Sequence, residues 1–373
     1  DDAYRHVLAG GDPNAEAAWQ SMMCEPIGHA IAESVQNDLV RGVMATDALI
    51  GTLARIDDPS LLQNICFLYH LLGGGTGEWD VPIGGMGAVS GALAAAAAGH
   101  GAEILTGADV YAIDPEGQVR YRLDGEERRA GAQYVLAGVT PAVLAKLMGD
   151  SEPTTAPGAQ VKVNLLLQRL PRLRDEGATP ERAFGGTFHI NETFSQLDAA
   201  YIRATEGAFP DPLPCEIYCH SLTDPSILSD ELRDGGAQTL TVFGLHTPHQ
   251  LVAASDPDTV RDQLTAAVLS SLNSVLAEPI QDVVMRNPAG RECIEAKTTF
   301  DLEETLGMTA GNIFHGALSW PFADNDDRLD TPARRWGVAT AHDRILLCGS
   351  GSRRGGAVSG IGGHNAAMAV LES

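Results

Sequence analysis

The residues with the plainest chemical use lie at the C-terminus. Arg344-Ile345-Leu346-Leu347-Cys348 is a short apolar run that reads as a buried strand. Gly349-Ser350-Gly351 closes it, Gly355-Gly356 follow, and Gly360, Gly362 and Gly363 lead into a helix expected over 364–371. Glycine has no Cβ, so backbone can lie directly against a ligand. A helix start adds unpaired N–H groups and the positive end of a dipole, which suit a phosphate or an electron-rich ring edge. A plain turn has the same composition, and spacing alone leaves both readings open.

The spacing is not that of a dinucleotide fingerprint. It runs Gly349-x-Gly351-x-x-x-Gly355, and 18 residues remain after Gly355. A nucleotide-binding βαβ unit needs a second strand and an acidic residue ~20 residues further on. The run 73–77 fails too, because Trp79 and Asp80 stand where a helix should continue. Gly84-Gly85-Met86-Gly87 fails as well.

Other reactive types are scattered. Cys215, Cys219 and His220 sit in an alternating apolar run; a strand separates residues four apart by about 13 Å, so no metal site is expected there. His315 and His364 are candidates for a base or for structural histidines. His246 and His249, beside Pro248, read as a loop at a strand end. Asn365 reads as a local hydrogen-bonding residue, and Glu303-Glu304 and the acids of 324–327 as solvated surface. Tyr218, Phe243 and Phe314 line a core or a pocket. No catalytic residue is assigned.

These residues need elements to hold them. Apolar spacing predicts helices over 15–23, 27–39 and 59–72, a small-residue helix over 88–99 and an amphipathic helix over 256–277, with Asp256 or Asp258 as its cap. Strands are expected at 102–113, 118–123 and 133–137, the first two joined by the turn Asp114-Pro115-Glu116-Gly117. From Ala159 the pattern is mostly strand: 161–167, 183–190, 214–221 and 238–245, an antiparallel sheet in an α+β arrangement.

Composition sets the outer limits. The chain has 373 residues, 44% hydrophobic and 20% charged, which suits a folded chain of two domains. A net charge of -24 repels phosphate backbones and argues against nucleic acid. Six cysteines with no CxxC pair read as reduced thiols of a cytoplasmic protein. The most apolar stretch, 92–98, is far short of the ~20 residues that span a bilayer; membrane association stays open. The chain begins at Asp1 rather than Met and no signal peptide is read in it, so either its start was removed or disordered or it is a piece of something longer.

Three segments carry a family resemblance. Trp79-Asp80-Val81-Pro82-Ile83-Gly84-Gly85-Met86-Gly87, then Gly101-Ala102-Glu103-Ile104 and Thr106-Gly107-Ala108-Asp109-Val110, resemble the middle of phytoene desaturase-like flavoproteins. Gly311-Asn312-Ile313-Phe314-His315-Gly316 resembles a stretch of the same group. Leu347-Cys348-Gly349-Ser350-Gly351 with Gly355-Gly356, Gly360 and Asn365-Ala366-Ala367 resembles its C-terminal flavin motif. The chain is thus similar, from about Ala45 onward, to FAD-dependent oxidoreductases of the phytoene desaturase/amine oxidase superfamily. Within that superfamily it resembles the pyridine nucleotide-disulphide oxidoreductase domain-containing protein 2 and phytoene dehydrogenase-related group.

The resemblance implies an α/β, glutathione reductase-like FAD domain, incomplete and interrupted by an α+β substrate domain with an antiparallel sheet and helices. Its boundaries would be 1–80 and 141–324 for the substrate part, 81–140 and 325–373 for the FAD part. It implies FAD as cofactor: Val110 at the adenine end; Gly349, Ser350, Gly355, Gly356 and Val358 along the pyrophosphate, ribityl and ring; and Ser359, Gly360 and Ile361 at the ring's N1/O2 edge. It implies hydride transfer from an apolar small molecule, at a C–C or C–N bond, to flavin. Two departures stand out: Arg353-Arg354 replace a His-Pro pair, and Ala357 replaces a glycine. The family's opening strand–GxGxxG–helix is absent, so the chain alone is expected to bind FAD weakly or not at all, and an N-terminal segment or second chain would complete the site. The alternative is a non-catalytic remnant, or a split-enzyme subunit, that binds a protein partner or an apolar ligand.

Overall fold

The computed structural model describes residues 9–10, 13–71, 80–154, 156–323, 326–353 and 360–373. Its first strands, β1 (Asp109–Ile113), β2 (Gln118–Leu123) and β3 (Glu126–Gly131), form an antiparallel meander. The expected third strand at 133–137 belongs elsewhere: β4 is Val135–Ala137, and the hairpin partner of β2 is the charged run of β3. Every β3 residue is exposed, so it has no inward face to give an apolar period. The strand expected from Ala102 begins only at Asp109; Gly101 and Gly107, both at positive φ, bend the chain before it.

A five-stranded sheet follows: β5 (Gln160–Leu167), β6 (Phe188–Ile190), β7 (Cys215–Tyr218), β8 (Gln238–Leu245) and β9 (Ile294–Lys297). Its order is β6-β7-β8-β5-β9, antiparallel throughout. Strand alternation puts Val161, Val163, Leu165 and Leu167 on one face, each 2% exposed or less. Against them lies helix Pro257–Val275, whose Val260, Leu264, Val268 and Leu272 recur every turn and are equally buried. Asp256 caps that helix by accepting from Thr259 N, and proline takes its first position. Two expected strands are shorter than the pattern suggested. Thr179 caps a helix at Pro180–Phe184 before β6 begins, and β7 stops at Tyr218, where helix His220–Thr223 starts.

The other face of the sheet is half covered by helices. The long helix expected over 27–39 is two helices, Ile27–Ser34 and Asp38–Leu49, because the Asn37 side chain accepts from Leu39 N and Val40 N and starts the second. With Leu62–Leu71 they build a cluster around Ile31, Ala45, Ala48 and Leu49 that takes in Leu245 at the end of β8.

A smaller parallel pair joins β4 to β10 (Ile345–Leu347). Its faces alternate. Ile345 packs with Ala137, Ile113 and Leu144 of helix Pro141–Met148, while Leu346 packs with Ala366 and Ala369 of helix Ile361–Leu371. Helix Gly85–Gly99 starts three residues before the expected Ala88 and contains no buried residue, although nearly every side chain in it is small or apolar. Among the described residues no helix is long and apolar enough to cross a membrane.

Candidate functional site

The C-terminal turn is set by backbone-to-backbone contact. Cys348 N donates to Ala137 O at 2.9 Å, which holds β10 against β4 up to the turn. Ser352 N and Ser352 Oγ both donate to Gly349 O, at 3.1 and 2.9 Å. A Cβ at Gly349 would fall 2.7 Å from Gly138 O, and one at Gly362 would fall 2.4 Å from Gly349 O. These two glycines therefore let the start of helix Ile361–Leu371 press onto the end of β10. Their lack of side chains serves the protein's own packing before any ligand is considered.

Gly360 is different. It holds the left-handed conformation (φ 70) at the N-cap, and a Cβ there would meet nothing within 4 Å among the described residues. Ile361 beside it is 44% exposed. The helix begins at Ile361, three residues before the expected His364, so the amides of its first turn, at the positive end of its dipole, belong to the residues just after Gly360. Gly355, Gly356, Val358 and Ser359, with Arg354 and Ala357, lie outside the described residues.

A cavity of about 290 Å³ opens beside this turn, bounded by Ser350, Gly351, Ser352, Arg353, Phe314 and Tyr69 among others. His315 stands next to it: a Cβ at Gly351 would be 3.4 Å from the His315 Cβ. Its Nδ1 is buried without a partner, and burial pushes its pKa down, so the ring is neutral at physiological pH. His364 has another role, packing edge-on to Trp336 with Nδ1 3.3 Å from Asn365 Oδ1. Arg353 is tied to Asp327 at 2.5 Å. Val110 lies on β1, 37% exposed; Ile113 of the same strand packs in the cluster of Ala137 and Ile345.

Cys215 and Cys219 lie in the same buried core and have separate partners. Cys215 Sγ donates to Leu213 O, while Cys219 Sγ lies 3.5 Å from Ser221 Oγ. Among the described residues no group of three metal-ligating side chains occurs. His246 follows β8 in the left-handed region (φ 56), and His249 opens a short helix and faces Glu303 at 3.6 Å. Glu303 is engaged rather than solvated, since its Oε1 also accepts from Ala310 N.

A second constellation sits on the face of the five-stranded sheet opposite helix Pro257–Val275. Register places His189, Glu216, Phe243, Lys162 and Lys297 in one row across β6, β7, β8, β5 and β9. Glu216 is 2% exposed and accepts from the Tyr218 hydroxyl, while its Oε2 has no partner. Glu192, 1% exposed, meets His189 Nδ1 at 2.6 Å, and its Oε1 is likewise unpaired. Burial first, then the nearby Glu192 charge, push the Glu216 carboxyl up to about 7; burial raises Glu192 as well. Tyr218 is half-buried and stacks on His220 at 5.7 Å. Farther along the same face, a groove of about 730 Å³ runs past Asn164, Thr239, Thr241 and His220. The two glutamates carry no local signal in the sequence. Glu216 alternates with apolar neighbours as a solvent-facing residue would, and its burial depends on helices far away in sequence.

No family model matches the chain. A Mycobacterium tuberculosis (strain ATCC 25618 / H37Rv) protein, Uncharacterized protein Rv0897c, is 69% identical over 374 residues, covering 100% of this chain and 70% of that protein. Pyridine nucleotide-disulfide oxidoreductase domain-containing protein 2 of Rattus norvegicus is 27% identical over 384 residues, covering 95% of this chain and 61% of its own length. Among solved structures, an oxidoreductase from Methanosarcina mazei superposes with a TM-score of 0.53 at 15% identity, over 94% of this chain and 68% of that one. A putrescine oxidase variant from a redesign of cofactor binding gives 0.50 at 15% identity, over 100% and 74%. At such identities these structures speak to the fold.

Proposed function

We infer that the chain is an FAD-dependent oxidoreductase of the amine oxidase type, in the group of pyridine nucleotide-disulfide oxidoreductase domain-containing protein 2, and from that premise we propose that its C-terminal turn holds one side of a flavin. Gly349, Ser350 and Gly360 with Ile361 are the described residues given to the cofactor, and Val110 is assigned to its adenine end. The four undescribed positions, Gly355, Gly356, Val358 and Ser359, belong to the same proposal. The observation that carries it is the left-handed Gly360, open among the described residues, at the start of an eleven-residue helix whose preceding strand ends in a turn, 350–353, that walls a cavity.

The residues fit such a group. Gly360 leaves space where any other residue would project a Cβ, and the first-turn amides after it supply partial positive charge for the electron-rich edge of a ring. Ile361 adds an exposed apolar contact. When bound, flavin supplies hydride acceptance; the chain's residues orient it and exclude water. His315, whose pKa burial lowers, packs behind Gly351 and backs the turn without bringing a charge. The substrate is proposed to be an apolar small molecule that loses hydride from a C–C or C–N bond. The domain division stays as drawn above, with 81–140 and 325–373 serving flavin and 1–80 and 141–324 serving substrate. The compartment proposed with it is the cytoplasm, where the free thiols stay reduced.

One observation favours a further component. An apolar helix belongs inside a core, yet Gly85–Gly99 buries nothing, with Leu93 at 68% and Met86 at 54% exposed. We assign that surface to a nucleotide-binding segment, from the same polypeptide or a second chain, that completes the flavin site.

The test is titration of FAD into the purified chain, followed by flavin fluorescence. Wild type is expected to quench the signal saturably but weakly on its own, and more tightly with the covering segment present. Gly360→Val, strained at positive φ and filling the open space, is expected to weaken binding at least tenfold. Equal binding by the two proteins, or none by wild type even with the covering segment present, overturns the assignment.

A further inference from the structure

We propose that the open face of the five-stranded sheet carries a proton relay, in which the Tyr218 hydroxyl exchanges a proton with bound substrate and Glu216 behind it stores that proton. The proposal deepens the oxidoreductase reading and rests on it only for the identity of the reaction.

The geometry is that of a built polar site. Glu192 and Glu216 are buried glutamates, and each keeps one oxygen with no hydrogen-bond partner. An unpaired buried polar atom keeps its full desolvation penalty, which is larger if the group is charged. Two such atoms, on carboxylates near enough for the Glu192 charge to act on Glu216, are costly if packing is their only use. No lysine or arginine pairs with either carboxylate within 4.0 Å among the described residues; His189 on Glu192 is the one cationic-capable contact. Helix Asp38–Leu49 closes the inner side, where a Cβ at Gly42 would fall 1.8 Å from Glu192 O. Asp47 of that helix adds negative field at Glu216, while the Cys66 thiol from Leu62–Leu71 is itself pushed up to about 12 by burial and stays un-ionised. On the outer side Tyr218 is half-buried between His220 and Phe243, with Lys162 above the Phe243 ring. Tyr218 is thus the link between the buried acid and the open face.

The chemistry balances. Oxidation breaks a substrate C–H bond, whose electron pair and hydrogen leave together as hydride to a flavin. The double bond forms only if the adjacent atom gives up a proton, leaving its bonding pair to become the π bond. Tyr218 Oη accepts that proton as its own O–H bond breaks, and the released proton bonds to Glu216 Oε1. The substrate loses two electrons and two hydrogens, the flavin gains hydride, and the Glu216 carboxylate gains one proton. A carboxyl that titrates near 7 is matched to this use.

Infrared spectroscopy of the chain, with or without flavin, tests the relay through the C=O stretch of an un-ionised carboxylic acid. Near neutral pH wild type should show a band whose Glu216 component is lost in Glu216→Gln and titrates, while any Glu192 component is lost only in Glu192→Gln. Glu192→Gln, which removes a repelling charge, should lower the midpoint by about one unit or more. Tyr218→Phe, which removes a bond to the ionised form, should raise it by a similar amount. On transfer to deuterium oxide the band should shift promptly in wild type, and at least tenfold more slowly in Tyr218→Phe. A band absent near neutral pH, or one that exchanges equally fast without the hydroxyl, overturns the relay. FAD binding with no exchanging carboxyl would remove the relay alone; an exchanging carboxyl in a chain that never takes FAD would remove the flavin reading alone.

Discussion

At the residue scale, the chemistry divides between glycines and acids. Gly349 and Gly362 allow a helix to touch a strand end, so alanine at 362 forces its methyl into a carbonyl at 2.4 Å. Overpacking of this kind costs roughly 1–3 kcal/mol, and urea unfolding of Gly362→Ala should show a lowered midpoint with an unchanged slope. Glu216 makes a pH prediction. Its folded value, about 7, lies above the ordinary 4.5, so between these values the native state binds more protons than the unfolded chain. Stability then falls as pH rises through that window. At about 1.4 kcal/mol per unit the loss approaches roughly 3 kcal/mol by pH 8. Thermal melts from pH 4.5 to 8 should decline in wild type, with a visibly flatter course in Glu216→Gln; parallel curves would contradict the burial. The glycines were legible because their composition is unusual. The glutamates were not, because Glu216 between Cys215 and Ile217 has the pattern of any half-exposed strand, and nothing local announces the helix that buries Glu192.

At the element scale, legibility followed periodicity. Helix Pro257–Val275 and strands β5 and β8 carry apolar residues at helical or strand spacing, and the structure holds all three within two or three residues of the expected bounds. β3 was lost because a fully exposed strand has no period to detect. The break at Asn37 was lost because a side chain capping two amides leaves the apolar spacing intact on both sides. Leu264, fully buried between helix and sheet, tests this core: Leu264→Ala should cost about 2–5 kcal/mol by chemical denaturation, and a loss below 1 kcal/mol would show that the helix does not seal the sheet. By contrast Leu93→Ala, on the exposed helix Gly85–Gly99, should change the isolated chain by less than about 0.5 kcal/mol.

At the scale of the whole molecule, two sheets of different kind divide the labour. The antiparallel sheet spends one face on a helix and leaves the other for polar residues and a groove. The parallel pair β4–β10 carries helices on both faces and ends in the glycine turn. That mixed helix-and-sheet architecture is the glutathione reductase-like fold expected from the resemblance, and the solved structures that superpose share it. The most direct measurement is the shift of backbone amide resonances when FAD is added to the isotopically labelled chain. The amides of 349–353 and 360–363 should move together and saturate, with those of helix Pro257–Val275 still. Unmoved resonances at both segments, with shifts confined to the antiparallel sheet, would contradict the account.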